Sequence, residues 1–286
     1  MDRRIIELYD EYTHAPLDRR VFISRLTALA GSAAAAAALL PLLESNYALA
    51  QVVPANDARL ETSRITWPGA SGDLKGYLAK PKGAGKLPAV IVIHENRGLN
   101  PHIEDVVRRV ALEGFVALGP DMLSPLGGTP ADEDQARTMI GQLDGKQTLD
   151  NLVRTVGFLR NHPGATGKVG AMGFCWGGGM AGMLATASPD LDASVVYYGR
   201  TPPLEAVPNI RAKLLLNYAG LDDRINESVP AFEAALKKAG VDHALHMYEG
   251  ANHAFNNDTA PARYDAAAAR LAWTRTVEFL KSSLGT

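Results

Sequence analysis

The chain has 286 residues, with 29 Lys and Arg against 31 Asp and Glu, a formal net charge of -2 and 47% hydrophobic residues. That length can bury the core of one large α/β domain, while the near-neutral balance offers no basic field to hold nucleic acid and no acidic solvating tail. A single cysteine excludes an internal disulfide and leaves one free thiol, available for packing or for chemistry.

The opening stretch RRIIELYDEYTHAPL sets Ile5, Leu8, Tyr9 and Tyr12 at helical spacing. DRRVFIS follows, with Arg19 and Arg20 paired, then an uncharged alanine-rich run from Leu26 to Leu43 and Ala-Leu-Ala at 48–50. Paired arginines, a mildly apolar run and a small-x-small site resemble a twin-arginine export signal, a route that carries folded proteins. Residues 1–50 are therefore expected to be a leader directing the chain to the periplasm or beyond. The alternative is a set of packed helices on a cytoplasmic chain that keeps them. Gly31, Ser32 and Pro41 interrupt the apolar run, so no stable membrane insertion is expected.

Residues 51–286 read as one domain. TSRITWPG and GDLKGYLAKP read as strands around a Gly-rich turn, and LPAVIVIHE is a continuous β-branched run of the kind buried on both faces. A helical pattern in PHIEDVVRRVALEGF precedes the strand VALGPD, and a Pro/Gly-rich excursion, MLSPLGGTPADED, leads to helical QTLDNLVRTVGFLRNH. The order continues as strand KVGAMGF, helix GMAGMLATA, strands ASVVYYG and AKLLLNYAG, helix SVPAFEAALKKAG, strand HALHMYEG and a last helix from about Ala262 to Leu284. Strand and helix alternate, which predicts a mostly parallel central sheet with helices on both faces.

In such sheets ligands sit beyond the carboxyl ends of the strands. The residues there are His94, Glu95 and Asn96; Asp121; Cys175; Tyr198; Asp222 and Asp223; and Asn252 with His253. Cys175 lies in Gly-x-Cys-x-Gly between a strand and a helix, the layout of a nucleophile elbow, where small flanking residues permit a strained turn and the helix N-terminus favours negative charge on the nucleophile. A thiol nucleophile needs a general base and a group to orient it. Asp222 or Asp223, followed in the chain by His253, supplies both in the order nucleophile, acid, histidine.

Other motifs fail on context. Gly177, Gly179 and Gly182 spell GxGxxG, but Cys175 and Trp176 separate them from the strand and no acid ends the next one. HENRG has Gly98 where HExxH needs histidine, and His243 and His246 point to opposite faces of a strand. His102 and His162 flank helices as surface or capping residues, and His14 goes with the leader. No metal site and no cofactor are expected.

Together VIVIHENRG, GFCWGGG, AGLDD and GANHAF resemble the dienelactone hydrolase family, cysteine-dependent members of the α/β-hydrolase fold, over residue 60 to the C-terminus. The resemblance implies that Cys175 attacks an ester or lactone carbonyl, that His253 shuttles the proton and that Asp222 orients His253. Asp222 is preferred over Asp223 because the family's acid is followed three residues later by an aliphatic, here Ile225. It further implies that Glu95 contacts the resting thiol and that the backbone N–H groups of Asn96 and Trp176 form the oxyanion hole. Family arginines hold a substrate carboxylate, one of them four positions after the histidine. Here that position is Asn257, which cannot replace a bidentate guanidinium. Arg137 could supply another arginine, and His94, Arg97, Trp176 and Tyr198 are candidate pocket walls. The expected activity is cleavage of a small-molecule ester, lactone or thioester, of the carboxymethylenebutenolidase type. A non-catalytic ligand-binding protein and a redox-sensing thiol are the rivals, the latter weakened by the lack of a resolving cysteine.

Overall fold

The structure, a computed structural model, describes residues 1–15, 17–47, 51–70 and 72–285; the candidate cleavage stretch at 48–50 lies outside the described residues. Its centre is an eight-stranded sheet in the order β1-β2-β4-β3-β5-β6-β7-β8. The strands are β1 (Leu60–Pro68), β2 (Asp73–Pro81), β3 (Leu87–Ile93), β4 (Val116–Asp121), β5 (Ala165–Phe174), β6 (Ala193–Tyr197), β7 (Lys213–Ala219) and β8 (His243–Tyr248). β1 pairs antiparallel with β2, and β2 antiparallel with β4; every pairing from β4 through β8 is parallel.

The inner strands are mainly apolar because both of their faces are covered. Val90 and Val92 of β3 join one core, with Met172 and Phe174 of β5 and Val195 and Tyr197 of β6. Ala89, Ile91 and Ile93, with Val169, Ala171 and Val196, join the other. The split follows the two-residue alternation of a strand. α4 (Pro101–Leu112) and α10 (Ala266–Leu284) cover the first face, and α6 (Gly145–Arg160), α7 (Trp176–Ala187) and α9 (Val229–Ala239) the second, with the short α8 (Asp223–Asn226) between β7 and α9. Local signals bound these helices: the Asn100 side chain accepts from Ile103 N–H with Pro101 in the first turn of α4, and Gly285 ends α10 in the left-handed region at φ 77°.

Two regions differ from the sequence expectation. Helix α5 (Glu133–Gly141) begins at the end of the Pro/Gly-rich excursion and fills the stretch after it, where no element was expected. Ala136 and Ile140 are its buried residues, too thin a stripe to register as periodic. At the N-terminus, α1 (Arg3–His14), α2 (Arg19–Ala30) and α3 (Ala33–Leu43) fold together. Ile5, Leu8, Tyr9 and Tyr12 bury against Phe22, Leu26 and Leu43, with Ala262 of the main body packed on the same cluster, and Tyr12 stacks on Phe22 at 4.3 Å. Among the described residues no single helix is long and apolar enough to cross a membrane; α2 and α3 pass jointly on length and composition but are bent by 113° at their break.

Candidate active site

The parallel strands release their chains at one rim of the sheet, and the site is built there. β5 runs between β3 and β6, so its carboxyl end is central. Cys175 follows it directly at φ 55°, ψ -115°, as N-cap of α7. Its N–H donates to Tyr197 carbonyl at 3.0 Å and its carbonyl accepts from Gly179 N–H at 3.1 Å. This strained turn requires glycine nearby: a Cβ on Gly173 would overlap the Gly177 carbonyl, and one on Gly177 would overlap the His94 carbonyl. The sulfur is 7% exposed as part of Cys175 and sits at the N-terminal end of a helix dipole.

Asp222 and His253 meet because β7 and β8 are in parallel register up to Ala219 and Tyr248, and the loops beyond are stitched by Leu221 N–H to Ala251 carbonyl at 3.0 Å. His253 Nδ1 lies 2.5 Å from Asp222 Oδ2, whereas the Asp223 side chain is exposed and faces Arg3 at 3.7 Å. His253 Nε2 is buried and has no hydrogen-bond partner among the described residues. Burial disfavours charge on this ring, but the Asp222 carboxylate and the Cys175 sulfur in its ionised form outweigh it and raise the ring's pKa to about 10.

The thiol has a second imidazole beside it. His14, at the end of α1, places Nε2 at 3.0 Å from Cys175 Sγ, and its ring meets that of His253 edge-on at 4.5 Å. Its Nδ1–H donates to Asp10 carbonyl at 2.8 Å, so Nε2 turns a lone pair to the sulfur. Burial, reinforced by the charges on His253 and Arg224, holds His14 well below the usual histidine range and hence neutral. Sequence reasoning set His14 aside with the leader. The signal that pointed to it was the apolar spacing of Ile5, Leu8, Tyr9 and Tyr12, which orders the helix that carries it.

Across from the thiol, the loop after β3 is held by His94. Its Nε2 accepts from Met122 N–H at 3.2 Å, its Nδ1–H donates to Glu95 carbonyl at 2.6 Å, and its ring stacks on Trp176 at 5.3 Å. The Asn96 side chain donates to Thr13 carbonyl of α1 at 2.7 Å. Among the described residues neither Asn96 nor Trp176 spends its backbone N–H on a protein acceptor. Glu95 was expected at the resting thiol. Its carboxylate instead accepts from Asn257 Nδ2 at 2.9 Å, and the thiol's hydrogen-bond partner is His14. Asn257, at the position of the family arginine, is buried and takes a structural part, its carbonyl oxygen also accepting from Thr259. An arginine that sequence reasoning missed, Arg263, is buried beside Glu95 and donates to Asp10 at 3.1 Å.

A cavity of about 900 Å³ opens over Cys175 and His253. Of the four residues named as candidate walls, Trp176 and Tyr198 line it and His94 and Arg97 do not. Tyr198 is 1% exposed, and its hydroxyl has no partner among the described residues. Arg137 also lines the cavity, but its guanidinium is engaged: it donates to Tyr12 carbonyl and lies 4.2 Å over the Tyr12 ring. Arg97 is tied to Asp134 at 3.3 Å. His102 departs from its surface reading, being buried with Nδ1 at 3.3 Å from Asp258. Donor atoms of His14, Cys175 and His253 all lie within 4.8 Å of one another, a sulfur-and-imidazole set of the type soft metals use. The same atoms are what a thiol nucleophile and its base require.

Residues 74–284 match the model of the "Dienelactone hydrolase family". A protein of Escherichia coli K12 named "Putative carboxymethylenebutenolidase" is 32% identical over 246 residues, covering 80% of this chain and 90% of its own. One of the same name from Saccharolobus solfataricus is 34% identical over 244 residues, covering 73% and 93%. The crystal structure described as a "Putative Dienelactone Hydrolase" from Klebsiella pneumoniae superposes with a TM-score of 0.69 at 28% identity, over 77% of this chain and 98% of that one.

Proposed function

The chain belongs to the dienelactone hydrolase family and is a hydrolase, and we propose that it cleaves a small carboxylic ester, lactone or thioester through an acyl-enzyme on Cys175. In the first half-reaction the Cys175 sulfur forms a bond to the substrate carbonyl carbon while the thiol proton passes to His253, leaving negative charge on the carbonyl oxygen. The N–H groups of Asn96 and Trp176 receive that charge. The carbonyl re-forms as the bond to the alcohol or thiol breaks, and the leaving group takes the proton from His253. In the second, His253 accepts a proton from water as the water oxygen bonds to the thioester carbon. The carbon–sulfur bond breaks, the acid departs and the sulfur regains its proton.

The observation that carries this reading is the position of His253, bonded to Asp222 on one side and grouped with Cys175 Sγ within 4.8 Å. Asp222 keeps the ring in one tautomer and stabilises its charged form. A cavity of about 900 Å³ accommodates a substrate of small-molecule size.

Turnover of p-nitrophenyl acetate tests it. Cys175→Ala should abolish turnover, and His253→Ala should lower it by roughly 100- to 10,000-fold with the circular dichroism spectrum unchanged. Retained turnover in the Cys175→Ala protein rejects the mechanism, and lactone binding without hydrolysis by the parent protein would favour the ligand-binding alternative. The paired Arg19 and Arg20 carry a separate proposal, export of the folded chain, which cell fractionation of the native host tests; protein confined to the cytoplasmic fraction rejects it.

A further inference from the structure

We propose that helix α1 is a fixed wall of the active site and that His14 is a residue of that site, the group that holds the resting thiol. The proposal rests on the hydrolase reading above and adds to it a part that the catalytic domain alone does not contain.

Independent contacts fix α1 at the points where the chemistry would occur. Thr13 carbonyl accepts from the Asn96 side chain at 2.7 Å, so α1 braces the loop whose N–H faces the carbonyl oxygen. Arg263, buried beside Glu95, donates to Asp10 at 3.1 Å and lies 5.0 Å over the Tyr9 ring. Tyr12 hydroxyl donates to Asp134 at 2.6 Å, and the same carboxylate accepts from Arg19 at 2.8 Å. Beyond α1, Asn46 N–H donates to Thr259 carbonyl at 2.7 Å and Ala262 N–H to Leu42 carbonyl at 3.2 Å. A detachable leader has no need of polar contacts matched one by one to the body, and the part-buried ones among them, Asn96 to Thr13, Arg263 to Asp10 and Tyr12 to Asp134, cost a hydrogen bond each when broken.

The chemistry of His14 follows from its bonds. With Nδ1–H committed to the Asp10 carbonyl, the ring offers only a lone pair, and at 3.0 Å that lone pair accepts from the Cys175 S–H. His253, carrying the Asp222 carboxylate, is the stronger base of the two. His14 therefore guards the thiol at rest, and the proton moves to His253 when a substrate carbonyl arrives; His14 gains and loses no proton in the cycle. Glu95, engaged by Asn257, is free of that duty. Thr13, His14, Ala15 and Leu17 also line the cavity opposite Trp176 and Met180, so the same segment limits the acyl group that fits.

Two readouts on the full-length chain test this: the rate of Cys175 alkylation by iodoacetamide, and the ratio of kcat/KM for p-nitrophenyl butyrate to that for p-nitrophenyl acetate. His14→Ala should speed alkylation by about three- to tenfold, the scale of one net hydrogen bond, and shift the ratio toward the longer acyl chain. His14→Gln, whose amide oxygen can accept the same bond, should restore part of the protection. Should His14→Ala fail to fold, Ala15→Trp, an exposed position on the cavity rim, should lower the ratio by narrowing the wall. Alkylation and acyl preference within about a factor of two of the parent in folded His14→Ala, or an unchanged preference in Ala15→Trp, overturns the proposal. Faster alkylation in His14→Ala with no ester turned over by the parent leaves the wall standing and removes the hydrolase reading instead.

Discussion

Cys175 is held where an L-residue seldom sits, at φ 55°, ψ -115°, a conformation that costs on the order of 1–3 kcal/mol and lifts the sulfur clear of the strand it ends. Its partner His253 has an equally specific environment. Burial works against charge on the ring, but the Asp222 carboxylate and an ionised Cys175 sulfur favour it, so the neutral ring is the form that receives the proton leaving the thiol.

At the scale of elements, the elbow depends on how closely α7 approaches β3. The space over Gly177 is filled by the backbone of Ile93 and His94, whereas a Cβ on Gly179 would find its nearest neighbour, the Arg200 N, at 3.5 Å, an ordinary contact. Gly177→Ala should therefore cost about 3 kcal/mol or more, since no side chain can yield and the strand end must shift. Gly179→Ala, in the same helix, should be neutral or stabilise by up to about 1 kcal/mol through helix propensity. Denaturation midpoints of the two variants separate these outcomes. Equal effects would mean that α7 is free to move away from β3, which would also unsettle the donors at Asn96 and Trp176.

For the molecule as a whole, α1–α3 form an apolar cluster of their own, apart from the two that sandwich the sheet. They are joined to the body by Ala262 and by polar contacts such as Arg263–Asp10 and Arg19–Asp134. Such a unit opens before the rest. Hydrogen exchange should show α1–α3 exchanging as a group at a lower opening free energy than β3 and β5, with protection falling as salt weakens the exposed Arg19 pairing. Protection equal to that of the central strands would instead place α1–α3 within the main cooperative unit.

Much of this was determined by sequence alone. The β-branched run of β3 could only be a strand covered on both faces, and Gly173-x-Cys175-x-Gly177 between strand and helix could only place the thiol on a tight turn, because both are properties of contiguous residues. Which carboxylate reaches His253 was open between Asp222 and Asp223 on chain order, and the lateral register of β7 against β8 brings Asp222 to it. Glu95 being drawn to Asn257, Arg137 to Tyr12, and Arg263 into the site are likewise matters of which loops meet at the sheet's rim. His14 shows the division most clearly. The apolar spacing of α1 announced a helix that packs on something, but a sulfur 161 positions away is beyond any local pattern, and only the docking of one element on another, decided by burial and by matched polar groups, could bring that imidazole to Cys175.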